Sequence, residues 1–177
     1  MEAIVATDIK GGIAKNNLIP WKSKLDLAFF CEKTNNNVVV MGKTTFQSLP
    51  FSKRPLPNRL NIVFTKNPMQ LEEYQHCNNV IITSNLDLPF EVLDQNNKTE
   101  YSKKYPFLKS NYKVFVIGGK QIYSHFWKYC KTIWLTTINK DYFCDLFLTI
   151  EDVANNSKEI VFENDELSIA KIENQQN

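Results

Sequence analysis

Glycine is scarce in this chain: five occur among 177 residues, against roughly 12 at the usual 7%. A collagen-like or glycine-rich flexible chain is therefore excluded. An excess of one charge is also missing, since 21 Lys and Arg face 19 Asp and Glu for a net +2. That balance is too small for a nucleic-acid binder working through counterion release. The four cysteines, Cys31, Cys77, Cys130 and Cys144, form no C-x-x-C pair and have only His76 and His125 to help them. A closed zinc site is not expected and no metal is assigned. No apolar run approaches the ~20 residues that span a bilayer, and residues 1–6 lack the basic flank and apolar run of a signal peptide. The expectation is a soluble, cytoplasmic monomer with reduced thiols and neither nucleic-acid nor membrane partners.

What is present is an ordinary globular composition, 43% hydrophobic and 23% charged, in a chain long enough to bury a core without staples. Runs of β-branched and aromatic residues predict strands over 3–6, 38–41, 60–64, 80–82, 114–117 and 133–138. Most are continuously apolar rather than alternating, the pattern of parallel strands covered on both faces. Helix-like segments at 24–33, 44–49 and 121–129 are spaced as crossovers between them. The predicted fold class is α/β. One domain over 1–173 has a mostly parallel central sheet, flanking helices and a C-terminal antiparallel hairpin, 159–163 with 166–172, turning at Asn164-Asp165. Residues 174–177 are expected to fray, and the polar, Lys-rich stretch 95–111 to be a surface insertion.

The five glycines fall at only three places: Gly11-Gly12, Gly42 and Gly118-Gly119. Two of these, in VVVMGKTTF and KVFVIGGKQIY, are junctions between a buried strand and a helix. Either glycine site alone is explained by a tight turn. Two in one small sheet, at the carboxyl ends of parallel strands, point to a ligand approaching the backbone, with phosphate the candidate group. Neither has P-loop or G-x-G-x-x-G spacing, so those assignments fail. Lys43 follows the first junction, and Thr65 and Lys66 follow the strand 60–64. Singly they read as surface residues; together they suit an extra phosphate, such as the one distinguishing NADP from NAD.

The segment NNLIPWKSKLDLAFFCEKT holds the other informative group. Ser23 can cap a helix and Asp26, three residues on, can return the contact, which is a sufficient structural role. Asp26 also precedes Phe29 and Phe30 at the spacing that shares a helix face, so the acid borders apolar surface. No Lys or Arg follows at helical spacing, and Lys22 precedes the cap. The carboxylate must find a donor or take up a proton, and a ligand with an amidine-like N–H pair satisfies both oxygens. Pro20-Trp21 fixes the chain entering the helix, and Trp21 by itself reads as core packing.

These residues resemble a known family. GGIAKNNLIPW, LDLAFF, VVVMGKTTF, RPLPNR ending at Arg59, VFVIGGKQIY and IWLTTI are similar to dihydrofolate reductase, in family order, across most of 1–138. The resemblance implies NADPH-dependent reduction of 7,8-dihydrofolate to tetrahydrofolate, with antifolates as further ligands. It implies catalytic roles for Asp26, which binds the pterin, and Trp21, which holds a water nearby. Ile4, Leu27, Phe30, Leu49, Leu56 and Ile117 would form the folate cleft, with Thr136 linked to Asp26 and Arg59 pairing with the glutamate α-carboxylate. Ala6, Ile13 and the loop through Leu18 would meet the nicotinamide. Gly42, Lys43, Thr44, Thr45, Thr65 and Lys66 would hold the adenosine phosphates. Gly118, Gly119, Lys120, Gln121, Ile122 and Tyr123 would approach the pyrophosphate, with a cis peptide between the paired glycines.

Three departures stand out: Ala14 replaces a usual glycine, Thr44 a common basic residue, and CDLFLT at 144–149 keeps Asp145 but loses the usual D-T-x-F-P. The last leaves open how the loop over the nicotinamide is tethered. Two rivals are a riboflavin-pathway pyrimidine reductase of the same fold and a non-catalytic folate- or nucleotide-binding protein. Pro20-Trp21, Asp26 and Arg59 together argue against the first, and intact candidate catalytic positions against the second.

Overall fold

Where an apolar run is long enough to hide both of its faces, this chain forms a parallel strand. The computed structural model describes residues 1–148 and 158–174. In chain order the elements are β1 (Glu2–Asp8), β2 (Gly12–Ala14), α1 (Lys24–Thr34), β3 (Val38–Gly42), α2 (Lys43–Ser48), β4 (Leu60–Phe64) and β5 (Val80–Thr83). There follow α3 (Leu88–Leu93), α4 (Gln95–Lys104), β6 (Val114–Gly118), α5 (Lys120–Phe126), β7 (Thr132–Ile138), β8 (Leu146–Phe147), β9 (Lys158–Glu163) and β10 (Leu167–Glu173). The main sheet runs β5-β4-β3-β6-β1-β7-β10-β9. Its first six strands are parallel, and β10 and β9 close it antiparallel.

Alternation of side chains across the pleat divides the core. Val38 and Val40 join one cluster with Val116, Tyr123 and Phe126, while Val39 and Met41 join the other with Ile4, Phe46, Leu56 and Phe115. Helix α5 therefore covers one face; Phe29 and Phe30 of α1 pack on the other. Both faces are dry, which is why the strands read as unbroken apolar runs.

The single α/β fold with a mostly parallel sheet agrees with the sequence reading, and several details differ. The stretch 95–111 is more than a surface insertion: Asp94 caps α4 by accepting from the Asn96 N–H, and Tyr105 and Leu108 are buried in the main core. Its polar residues face outward and concealed that amphipathic character. The helix expected over 121–129 starts at Lys120 and tightens into a 3-10 turn at Trp127–Tyr129. Asn174, placed with the frayed tail, is tied down through its N–H to Lys131 O at 2.8 Å and its amide to Cys130 O at 3.0 Å. Residues 175–177 and Thr149 lie outside the described residues. The glycine shortage is met locally by asparagine, with left-handed backbone at Asn16, Asn17, Asn36 and Asn58. All four cysteines are free thiols, and no described helix is long and apolar enough to cross a membrane.

Candidate active site

Helix α1 begins where Ser23, in extended backbone, accepts the Asp26 N–H on its hydroxyl at 3.2 Å. Capping thus uses the Asp26 backbone; among the described residues its carboxylate makes no return bond to Ser23. The carboxylate is left half-buried beside Phe29 and Phe30. Burial pushes its pKa above the ordinary carboxylate value, opposed by the Thr136 hydroxyl and the Trp21 indole. Trp21 is buried, and its Nε1 has no acceptor at hydrogen-bond distance among the described residues. None of the described ion pairs, Lys10–Asp141, Lys113–Glu2 and Lys171–Glu173, neutralises Asp26.

Arg59 is the opposite case. Arg59 as a whole is 4% exposed, and its guanidinium has no carboxylate partner among the described residues. Nε donates to Thr34 Oγ1 at 2.8 Å, and one terminal nitrogen donates to Pro57 O at 2.7 Å. The other reaches Cys31 O only at 3.5 Å. Burial lowers the guanidinium pKa, yet arginine keeps its charge at any working pH. The guanidinium lies 5.8 Å from the ring centre of Phe30, part of an apolar surface. Ile4, Phe30, Leu49, Leu56 and Ile117 all belong to one hydrophobic cluster. Leu27 stands outside it, 59% exposed. Thr136 on β7 pairs in register with Ala6 on β1, and Ala6 packs with Trp21.

The two glycine junctions come together because β3 and β6 are neighbours, with Met41 opposite Gly118. Helices α2 and α5 start at Gly42 and Gly119 without side-chain caps, which leaves N–H groups free for an outside acceptor. A Cβ on Gly119 would stand 3.1 Å from Thr45 Oγ1, so the junctions abut. Gly118 has φ +108 and precedes a cis peptide to Gly119. A side chain there would meet Tyr123 Cε2 at 2.8 Å. Tyr123 cannot retreat, since its hydroxyl donates to Ile4 O at 2.8 Å from a buried position. Ile122 is half-buried, while Thr44, Lys120 and Gln121 are exposed. Thr65 turns back on Asn67, Lys66 is exposed, and Lys43 bonds Gln70.

The segment after β1 is held by backbone pairing of β2 with β8. Asp145 N–H donates to Ala14 O at 3.0 Å, and its carboxylate accepts from Asn16 N–H at 2.8 Å. Despite the altered CDLFLT sequence, the loop is tethered through Asp145. Ile13 is buried in the core, whereas Leu18 is 56% exposed.

Comparison with known proteins decides the family. The profile described as dihydrofolate reductase matches residues 1–166. A putative dihydrofolate reductase of Caenorhabditis elegans is 32% identical over 180 residues, covering 94% of this chain and 88% of that protein. The chain belongs to the dihydrofolate reductase family. Dihydrofolate reductase of Ureaplasma parvum is 30% identical, with 93% and 92% coverage. The solved dihydrofolate reductase from Enterococcus faecalis, complexed with NADP(H) and RAB-propyl, superposes with TM-score 0.66 at 30% identity, covering 97% and 92% of the two chains. A bifunctional dihydrofolate reductase-thymidylate synthase of Zea mays is 34% identical over 156 residues. This chain spans 28% of that larger protein.

Within this dihydrofolate reductase fold, two polar groups escaped the sequence reading. Arg54, at the head of RPLPNR, places its guanidinium 5.5 to 6.0 Å from the ring centres of Phe46, Phe51 and Tyr74. Asp8 is a fully buried carboxylate. The Gly11-Gly12 pair was the only sequence signal near Asp8.

Proposed function

We propose that this chain reduces 7,8-dihydrofolate to 5,6,7,8-tetrahydrofolate with NADPH, adding hydride at pterin C6 and a proton at N5. One observation carries this reading. Among the described residues, a half-buried carboxylate without a protein cation, Asp26, and a buried guanidinium without a protein anion, Arg59, accompany one apolar cluster, Arg59 lying 5.8 Å from the ring centre of its Phe30 and Asp26 on the same helix as Phe30. Leaving either charge alone in a dry protein is costly. A ligand with an N–H pair at one end, an aromatic middle and a carboxylate at the other satisfies both. Dihydrofolate has that form. Asp26 would take the pterin N–H groups and favour protonation at N5. Trp21 Nε1 offers a buried donor beside the same carboxylate, and Arg59 would give its uncommitted N–H groups to the tail.

The abutting glycine junctions fit a bound dinucleotide, because the backbone is bare where a side chain would otherwise stand. Gly42, Thr45, Gly118 and Gly119 would hold its phosphates, with Lys43, Thr65 and Lys66 at the adjoining strand ends. When bound, NADPH supplies the hydride; the protein aligns the rings and excludes water.

The test is dihydrofolate-dependent loss of NADPH absorbance, followed by single-turnover hydride transfer in Asp26→Asn. Substrate-dependent oxidation is expected, and the variant should slow by about a hundredfold or more, partly rescued at lower pH. No turnover by the unaltered protein would remove the reductase reading. Near-normal transfer by Asp26→Asn would reduce Asp26 to structure.

A further inference from the structure

Asp8 ends β1 as a carboxylate with no exposed surface and no ion pair among the described residues, neighbouring Lys10 pairing instead with Asp141 at 2.7 Å. It is held by N–H donors from two separate loops. Oδ1 accepts from Lys10 N at 2.9 Å and Gly12 N at 2.8 Å, in the segment following β1. Oδ2 accepts from Tyr142 N at 3.2 Å, in the segment following β7. Burial raises the Asp8 pKa, but these N–H groups and the Cys144 thiol outweigh it, and the acid stays charged. The two loops also fit sterically at this point. A Cβ on Gly12 would stand 2.3 Å from Cys144 Cβ, so only glycine permits the approach.

The contact continues toward the candidate site. The ring of Tyr142, whose N–H is fixed by Asp8, meets Trp21 edge-on with centroids 5.7 Å apart. Trp21 in turn stands near enough to the Asp26 carboxylate to favour its charged form. We propose that Asp8 is a positioning residue: one buried carboxylate ties the loop after β1 to the loop after β7 and, through Tyr142, sets the indole of Trp21. It touches no reacting atom. Its consequence for catalysis rests on the reductase reading, whereas its control of Trp21 does not.

Asp8→Asn keeps the shape and loses the charge that makes these N–H bonds strong. The chain has three tryptophans, so the indole N–H resonances can be assigned by single Trp→Phe substitutions. In ligand-free Asp8→Asn the Trp21 resonance should move, while those of Trp127 and Trp134 stay. Affinity for NADPH should fall about tenfold, the loss of roughly one charge-assisted bond, while the fragment 2′-phospho-ADP-ribose, lacking nicotinamide, binds as before. Gly12→Ala gives a second approach, because it keeps Asp8 and forces Cys144 away; it should move the same resonance. An unmoved Trp21 signal in either folded variant overturns the proposal, as does a common shift of all three indoles. Failure of the unaltered chain to bind NADPH would overturn the reductase reading alone, because the indole signal is read without ligand.

Discussion

Two aspartates in this chain, Asp26 half-buried and Asp8 fully buried, respond to acid with opposite signs. Burial places Asp26 above the ordinary carboxylate pKa, so its contribution to stability is complete below the unfolded value near ~3.9 and is lost as pH rises through the higher folded value. Asp26→Asn should therefore melt above the unaltered protein at neutral pH, with the gap narrowing as pH falls toward about 4. A gap independent of pH would contradict this account. Asp8 lies below the ordinary value. Its contribution is present above the unfolded pKa and is lost as pH falls through the folded one, so Asp8→Asn should melt lower at neutral pH and converge in acid. Arg59 adds a further case. Arg59→Ala strips the donors from Thr34 Oγ1 and Pro57 O, so some loss of stability is expected. Beyond that loss, folate and methotrexate should weaken far more than a diaminopyrimidine without a glutamate tail. Ligand-induced thermal shifts make the comparison, and equal weakening of all three would dissociate Arg59 from tail binding.

At the level of elements, adjacency of β3 and β4 puts Lys43 and Lys66 at neighbouring strand ends. Replacing both should narrow any preference for NADPH over NADH by at least about tenfold, since charge-assisted contacts are each worth ~1.5–3 kcal/mol. Competitive binding measures it, and an unchanged ratio removes both lysines from phosphate recognition. The parallel strands and their glycine junctions were legible because double-sided burial leaves unbroken apolar runs and because glycine is rare. Asp26 was legible because a charge beside Phe29 and Phe30 had no local partner. The pairing of β2 with β8 was not, since three residues meeting two through backbone bonds carry no periodicity. Asp8 was equally silent. Its defining donor, Tyr142 N–H, lies 134 residues away in sequence. Residues 95–111 misled through composition, their buried Tyr105 and Leu108 being outnumbered by outward polar groups.

Across the whole molecule, burial falls from the sheet centre toward one edge. Every residue from Val38 to Met41 is fully buried, whereas every residue of β9 is exposed. Hydrogen exchange should accordingly be slowest in β3, β4 and β6 and fastest, among the strands, in β9. Thiols offer a coarser reading of the same gradient. Cys31 is exposed, whereas burial drives Cys130 up to about 12 and Cys144 up to about 11. A disulfide reagent at mild pH should label Cys31 first and reach Cys130 and Cys144 only on unfolding. Early labelling of Cys144 would show that the loop junction opens in the native protein.

The asparagines that stand in for glycine in the left-handed turns carry a chemical liability that glycine does not. Side-chain amides hydrolyse with heat and time, and Asn16 and Asn17 sit exposed on the loop after β1. The Asn16 N–H donates to the Asp145 carboxylate. Hydrolysis at Asn16 sets a new negative charge beside that acceptor, where like charges repel. The protein thus contains a slow clock. Stored samples should accumulate acidic isoforms, separable by ion exchange, whose loop is released from Asp145 while the sheet beneath keeps its melting temperature.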